Sequence, residues 1–360
     1  MNYSKCWVSK SKMNVTFIDT DYRWGFHVRV FPSLRATFEI YKRMPYSCFQ
    51  IFVSNRSFTL PNYDTSDLLE TGRLLKERNS YLCIHGNLLY NLCGPIKYKD
   101  KPLYKTKLED TRKCLTRELD LGVGLGAGIV VHPGSWPDKE KGIQTISETI
   151  THCLTTKTSK SKALSKAMGI SHADFISRRK IILENAAGGG TKLAVTLEEI
   201  SSMIKLVPKK LHSQVKVCID TAHAFGAGLY KWGDPKEVKR FYEDFDRVIG
   251  LEFLEVFHLN DSRASEQKRY NAYFGSYKDV HEYLGEGYIF GVYSEDLELL
   301  PDTTNLEGLK EFFKQAWRRD IPVIGEPPGK TRFGEKGPGP SRDWRFVVNL
   351  LSTTDHPLEY

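Results

Sequence analysis

Short apolar runs recur along the chain at Trp24–Val28, Cys48–Val53, Tyr81–Ile84, Gly128–Val131, Lys180–Leu183, Val215–Ile219, Leu254–Phe257 and Ile321–Ile324. Within them the apolar positions are continuous rather than alternating, the pattern of parallel strands buried on both faces. Most segments between the runs predict helices. Ser66–Glu77 is leucine-rich, Leu108–Leu119 mixes apolar with charged positions, and Thr196–Lys205 opens on the capping-box pattern Thr196-x-x-Glu199. Eight strands alternating with helices predict an α/β fold, the closed (β/α)8 TIM barrel. The alternative, an open doubly wound sheet, lacks its Gly-rich fingerprint after the first strand.

Residues 1–20 precede the first strand and read as an N-terminal extension; residues 21–360 read as a single barrel domain. Three stretches read as insertions, 154–168, 262–274 and 327–342. The first is rich in Ser, Thr and Lys and predicts a solvated insertion or a lysine-bearing helix, with plain surface preferred over a phosphate-contacting patch. The last is rich in Gly and Pro and predicts a long loop before a closing helix around Trp344–Leu351.

Composition narrows the picture. Of 360 residues 40% are hydrophobic, ample for a core and against global disorder. The charge excess, 52 − 44 = +8, tolerates a polyanionic partner without requiring one. No run approaches the ~18–20 apolar residues of a membrane span, and the N-terminus has no apolar stretch of a secretory signal. Seven scattered cysteines without a C-x-x-C pair suit a reducing compartment. An intracellular protein, nuclear or cytoplasmic, is expected.

The chemistry lies where the runs end. His85, His132, Glu184, Asp220, His258 and Glu326 close six of them, and in a barrel such positions crowd the C-terminal mouth. Packed imidazoles and carboxylates are costly without a cation to neutralise them. His223 follows Asp220 by three residues, so a one-turn bend returns it to the mouth. Asp279 and His281 project to one side of an extended chain. Singly, each is as well read as an ordinary polar residue or helix cap; jointly, nine at one edge point to metal. Imidazoles and carboxylates without thiolates favour Zn, Mn or Fe, and nine ligands suit two or three ions. His27 also follows a run and reads as a supporting residue. His152, His172, His212 and His356 read as surface.

With these residues in view, the sequence resembles the endonuclease IV family of AP endonucleases. The resemblance rests on His85 with Asn91-Leu92, on Val131-His132-Pro133-Gly134-Ser135 and on Leu183-Glu184-Asn185-Ala186-Ala187-Gly188. It continues through Cys218-Ile219-Asp220-Thr221-Ala222-His223, His258-Leu259-Asn260-Asp261-Ser262, Asp279-x-His281 with Leu284-Gly285-Glu286-Gly287, and Glu326.

The resemblance implies a TIM barrel holding three zinc ions, with Mn or Fe at some positions. His85 and His132 would hold the first, Glu184 bridging to the second; Asp220, His258 and Glu326 would complete the second; His223, Asp279 and His281 would hold the third. It implies hydrolysis of the phosphodiester 5′ to abasic sites in duplex DNA, leaving a 3′-hydroxyl and a 5′-deoxyribose phosphate, with Glu184 essential and 3′-end trimming as a side activity. A monomer acting in base excision repair is expected. Leu88 and Leu89 fall where the family presses side chains into DNA, although Leu88 stands in place of a Tyr, and Arg56, the counterpart of the family's inserting Arg, stands one position early. Val280 replaces an Arg, Glu282 replaces a His, and the longer loop after Asp261 carries Arg263, Lys268 and Arg269. Two rivals remain: a sugar isomerase or epimerase holding one ion on Glu184, Asp220, His258 and Glu326, which leaves five donors idle, and a silent DNA-damage binder.

Overall fold

The computed structural model describes residues 23–30, 33–54, 63–98, 101–263, 274–275, 277, 279–293, 299–300, 305–329, 337 and 339–352. All eight apolar runs form strands: β1 Trp24–His27, β2 Cys48–Phe52, β3 Tyr81–His85, β4 Gly128–Val131, β5 Ile181–Glu184, β6 Val215–Asp220, β7 Leu254–Leu259 and β8 Val323–Gly325. They pair in parallel in sequence order and close into a barrel, β8 pairing with β1.

Two layers of side chains fill the barrel interior. Cys48, Cys83, Val130, Ile182, Cys218, Val256 and Ile324 pack together in its interior. On β1 the corresponding place is Gly25, in register with Cys48. A Cβ on Gly25 would lie 1.7 Å from the Cys48 carbonyl oxygen, so no other residue fits there. Side chains on a strand return to the same face every second residue. Two residues beyond each of these eight come His27, Gln50, His85, His132, Glu184, Asp220, His258 and Glu326. A small apolar layer therefore carries a polar one at the C-terminal mouth.

The expected helices form with modest shifts. The leucine-rich segment is Thr65–Glu77, capped by the Asp64 carboxylate, which accepts from the Ser66 and Asp67 amides. The next runs Leu108–Leu125, beyond the expected end, until Gly126 turns left-handed at φ 71°. Thr196 caps Leu197–Leu206 by accepting from the Glu199 amide. The Glu199 carboxylate, however, accepts from the Val195 amide and pairs with Lys139, so the capping box is only half formed. The closing helix spans Pro340–Ser352 and takes in the last residues of the expected loop. Antiparallel pairs Ile96–Tyr98 with Lys101–Tyr104 and Val292–Tyr293 with Leu299–Leu300 were not expected.

The lysine-rich stretch is a helix, Ser159–Ala167, preceded by Lys139–Thr155 and followed by His172–Ser177. It is not simply solvated: Leu154, Ser161, Leu164 and Ser165 are buried. Helix Lys139–Thr155 runs back from the mouth after β4, so the lysines lie at the opposite end, where β5 begins. The join is locked by buried Arg179, which donates to Asp120 Oδ1 (3.0 and 2.7 Å) and to the carbonyls of Cys153 (2.8 Å) and Thr156 (2.7 Å). Among the described residues no helix is long and apolar enough to cross a membrane. Cys48, Cys83, Cys93, Cys114, Cys153 and Cys218 are free thiols in buried places.

Candidate metal centre

Six of the nine predicted donors lie on barrel strands or on the residue just past a strand's end. The other three need local turns. Asp220 caps the short helix Thr221–Gly226 by accepting from the His223 amide at 2.9 Å, and this single turn folds the His223 ring back over the mouth. His281 arrives on the pair Asp261–Ser262 with His281–Glu282. The Asp261 carboxylate fixes the following loop by accepting from the amides of Gly285 (2.9 Å), Gly287 (3.2 Å) and Ile289 (2.9 Å).

Glu184 is the hub. Its Oε2 lies 3.4 Å from His85 Nε2 and 3.3 Å from His132 Nε2. Its Oε1 lies 3.0 Å from His258 Nδ1 and 3.5 Å from His223 Nδ1. Asp279 Oδ1 sits 3.1 Å from His223 Nε2 and 3.4 Å from His281 Nε2, while His281 Nε2 is 3.5 Å from Asp220 Oδ2. Glu326 Oε2 is 3.5 Å from His258 Nδ1. All nine converge.

Most of the imidazoles are oriented from behind. His85 Nδ1 donates to the Gly86 carbonyl (2.8 Å), His223 Nδ1 to the Asn185 carbonyl (2.8 Å) and His281 Nδ1 to the Glu326 carbonyl (3.3 Å). Each leaves Nε2 facing the cluster, as outer partners of metal-binding histidines do. His258 is reversed: Nε2 donates to Gln50 Oε1 at 2.8 Å and Nδ1 faces inward. His132 is the most open, with its side chain 33% exposed.

Burial penalises every charge here, and the groups compensate one another. Burial would lower His223, yet Asp220 and Asp279 outweigh it and raise it to about 10. His281 is raised to about 9 against burial by Asp279, Asp220 and Glu326. Burial works against ionised Glu184, but His132, His258 and His85 hold it well below the ordinary carboxylate range. His132 goes the other way, lowered by burial to about 4. Without cations, the acids and imidazoles neutralise each other.

The donor set fits divalent ions. Donor atoms of His85, His132 and Glu184, of Asp220, His223 and His281, and of Glu184, Asp220 and His258 form three groups, each lying within 4.8 Å. Among the described residues, buried Glu184 Oε2 and His281 Nε2 lack any hydrogen-bond partner, a costly state that a bound cation would relieve. One group repeats the expected first set, His85, His132 and Glu184; the other two contain neither Asp279 nor Glu326, and Asp220 joins His223 and His281.

The cluster floors a cavity of about 440 Å³ lined also by Phe52, Leu88, Pro327 and Pro328. A smaller one of about 190 Å³, lined by Lys192, Leu88 and Pro133, adjoins it and shares His132, His223 and Asp279. Leu88 is 58% exposed and Leu89 42%. Tyr277, 60% exposed, stands beside Gly188 and Gly189. Arg56, Lys268, Arg269, His356 and residues 1–20 lie outside the described residues. His152 is exposed, while His172 and His212 are half-buried and bonded to Ser161 Oγ (2.7 Å) and the Val207 carbonyl (2.8 Å).

Two site residues were missed. Gln50 is fully buried and donates from Nε2 to Glu326 Oε1 at 2.6 Å. Asn260 Nδ2 donates to Asp220 Oδ2 (2.7 Å) and Glu326 Oε2 (3.2 Å). Gln50 stands two residues on from Cys48, on a face that the barrel interior reveals and the sequence alone does not; Asn260 lies within a quoted motif.

Residues 38–297 match the family model described as xylose isomerase-like TIM barrel. A probable endonuclease 4 of Thermosipho melanesiensis is 30% identical over 315 residues, covering 85% of this chain and 89% of that protein. The chain belongs to the endonuclease IV family. The apurinic-apyrimidinic endonuclease 1 of Saccharomyces cerevisiae is 34% identical over 205 residues, which span 57% of this chain and 46% of the yeast protein. The solved endonuclease IV of Thermus thermophilus shares the fold, with a TM-score of 0.64 at 24% identity over 92% of this chain and 100% of that one. A D-tagatose 3-epimerase-like protein shares the barrel at a TM-score of 0.54 and 14% identity, over 92% of this chain and 97% of that one.

Proposed function

We propose that this endonuclease IV-family chain is a metal-dependent AP endonuclease, a hydrolase that cuts the phosphodiester 5′ to an abasic site in duplex DNA and leaves a 3′-hydroxyl. The observation that carries the reading is Glu184, reached on both carboxylate oxygens by four histidines from four elements. A site for one ion has no use for so many donors. A single-ion isomerase on the same barrel leaves His85, His132, His223, Asp279 and His281 without a task.

His85, His132 and Glu184 would hold one ion, Glu184 with Asp220, His258 and Glu326 a second, and His223, Asp279 and His281 a third. Divalent ions bound there, zinc foremost, supply charge to neutralise a phosphodiester and acidify water at neutral pH. The chain's own part is positioning. Carbonyls and Gln50 fix which imidazole nitrogen faces inward, and the open cavity admits a backbone phosphate. Leu88 and Leu89, exposed beside the cavity, would fill the gap left by a missing base. In-line placement and charge neutralisation then supply most of the rate.

The test is a nicking assay on a duplex carrying one abasic analogue. The reading expects a single cut on the 5′ side, lost on chelation and restored by zinc. No cutting at any metal loading would end it.

A further inference from the structure

The polar layer has eight members, and His27 is the one on β1. Among the described residues, only His27 of the polar side chains lining the 440 Å³ cavity stands outside the nine proposed ligands. Its surroundings determine its chemistry. Gln50 Nε2 lies 2.6 Å from Glu326 Oε1 and 3.0 Å from His27 Nδ1. An ionised carboxylate only accepts, so the amide N–H₂ must face Glu326 and His27, and the amide oxygen must face His258 Nε2. Both amide protons are then used, and His27 Nδ1 receives one as an acceptor. A neutral imidazole that accepts at Nδ1 carries its proton on Nε2. Nε2 has no hydrogen-bond partner among the described residues, while the ring packs on Phe52 at 4.5 Å between centroids.

We propose that His27 is a neutral substrate-contacting donor, presenting Nε2–H to an oxygen of the bound sugar–phosphate backbone, with Gln50 as the positioning residue that fixes its tautomer. One amide thereby sets two imidazoles oppositely: His258 donates to it and offers Nδ1 to the cluster; His27 accepts from it and offers a proton to the cavity. The inference rests on the DNA-cleaving reading for the identity of the acceptor, and on geometry alone for the tautomer.

The experiment compares His27→Leu, which removes the donor, with His27→Gln, which restores an N–H₂ near the same reach. Measurements are kcat and KM on abasic duplex, metal content and thermal midpoint, with ¹⁵N-histidine spectra of the full chain. His27→Leu should keep its metal and its thermal midpoint and lose about 100-fold in kcat/KM, the lower end of what removing a preorganised donor costs. His27→Gln should recover at least part of that. The spectra should show unprotonated Nδ1 and protonated Nε2 in the signal that His27→Leu deletes, and that Nε2–H should shift when duplex is added. Wild-type kcat/KM in His27→Leu, or activity falling only in step with lost metal, overturns the contact; a protonated Nδ1 overturns the tautomer. An inert wild type removes the acceptor together with the DNA reading, and is told apart because every variant is then equally inert.

Discussion

His258 meets Glu184 through Nδ1 at 3.0 Å, the reverse of the face that His85, His223 and His281 turn to the cluster, because Gln50 holds its Nε2. Replacing Gln50 by Leu removes that hold and strips a buried donor from Glu326. Metal affinity should fall about 10- to 100-fold, the usual cost of losing an outer partner of a ligand. Competition with a chromophoric chelator measures this; unchanged affinity would show that the His258 orientation is set elsewhere.

Glu184→Gln keeps the volume and removes the charge that the histidines surround. Cleavage should drop by at least about 10²–10³-fold while the circular dichroism spectrum stays as in the wild type. Near-normal turnover would exclude Glu184 as the hub.

Nine donors are legible because six of them end an apolar run, while the Asp220 turn brings in His223 and the Asp-x-His pair supplies the other two. Gln50 is not, because it lies inside the run Cys48–Val53, where an amide looks like an interruption rather than an end. The face it shares with Cys48 becomes visible only once the barrel interior is known, and the same count takes Gly25 to His27. The lysine-rich stretch misleads in the opposite way. Its composition looks solvated, but Leu164 and the Arg179–Asp120 pair anchor it, and those partners are distant in sequence. The short antiparallel pairs carry too few residues to leave a periodic signal.

The two ends of the barrel should respond differently to substitution. Leu88→Ser and Leu89→Ser, at the mouth, should weaken binding to abasic duplex severalfold without changing the thermal midpoint, since both side chains are exposed. Lys162→Ser with Lys166→Ser, at the far end, should leave binding and its salt dependence unchanged. Fluorescence anisotropy at stepped salt separates them; a shallower salt slope for the lysine pair would mean that phosphates reach that end.

Glu118, fully buried on helix Leu108–Leu125, has its carboxyl pushed up to about 7 by burial, partly offset by the Ser54 and Tyr90 hydroxyls. Its folded value exceeds the unfolded one near 4.5, so the native state holds the proton longer. The resulting stability is fully present below about pH 4.5 and lost as pH rises through 7, a change of about 3 kcal/mol. Glu118→Gln should remove that contribution. Denaturant unfolding of both proteins at pH 5 and pH 8 checks it: the variant should gain on the wild type at the higher pH, and an equal gap at both would refute the assignment.

If the donors around Glu184 share cations that cut a DNA backbone, titrating zinc into chelated protein links bound metal to nicking of abasic duplex. Cleavage should return only as binding approaches the three ions that the donor groups suit. Full activity with one ion bound, or with none, would contradict it.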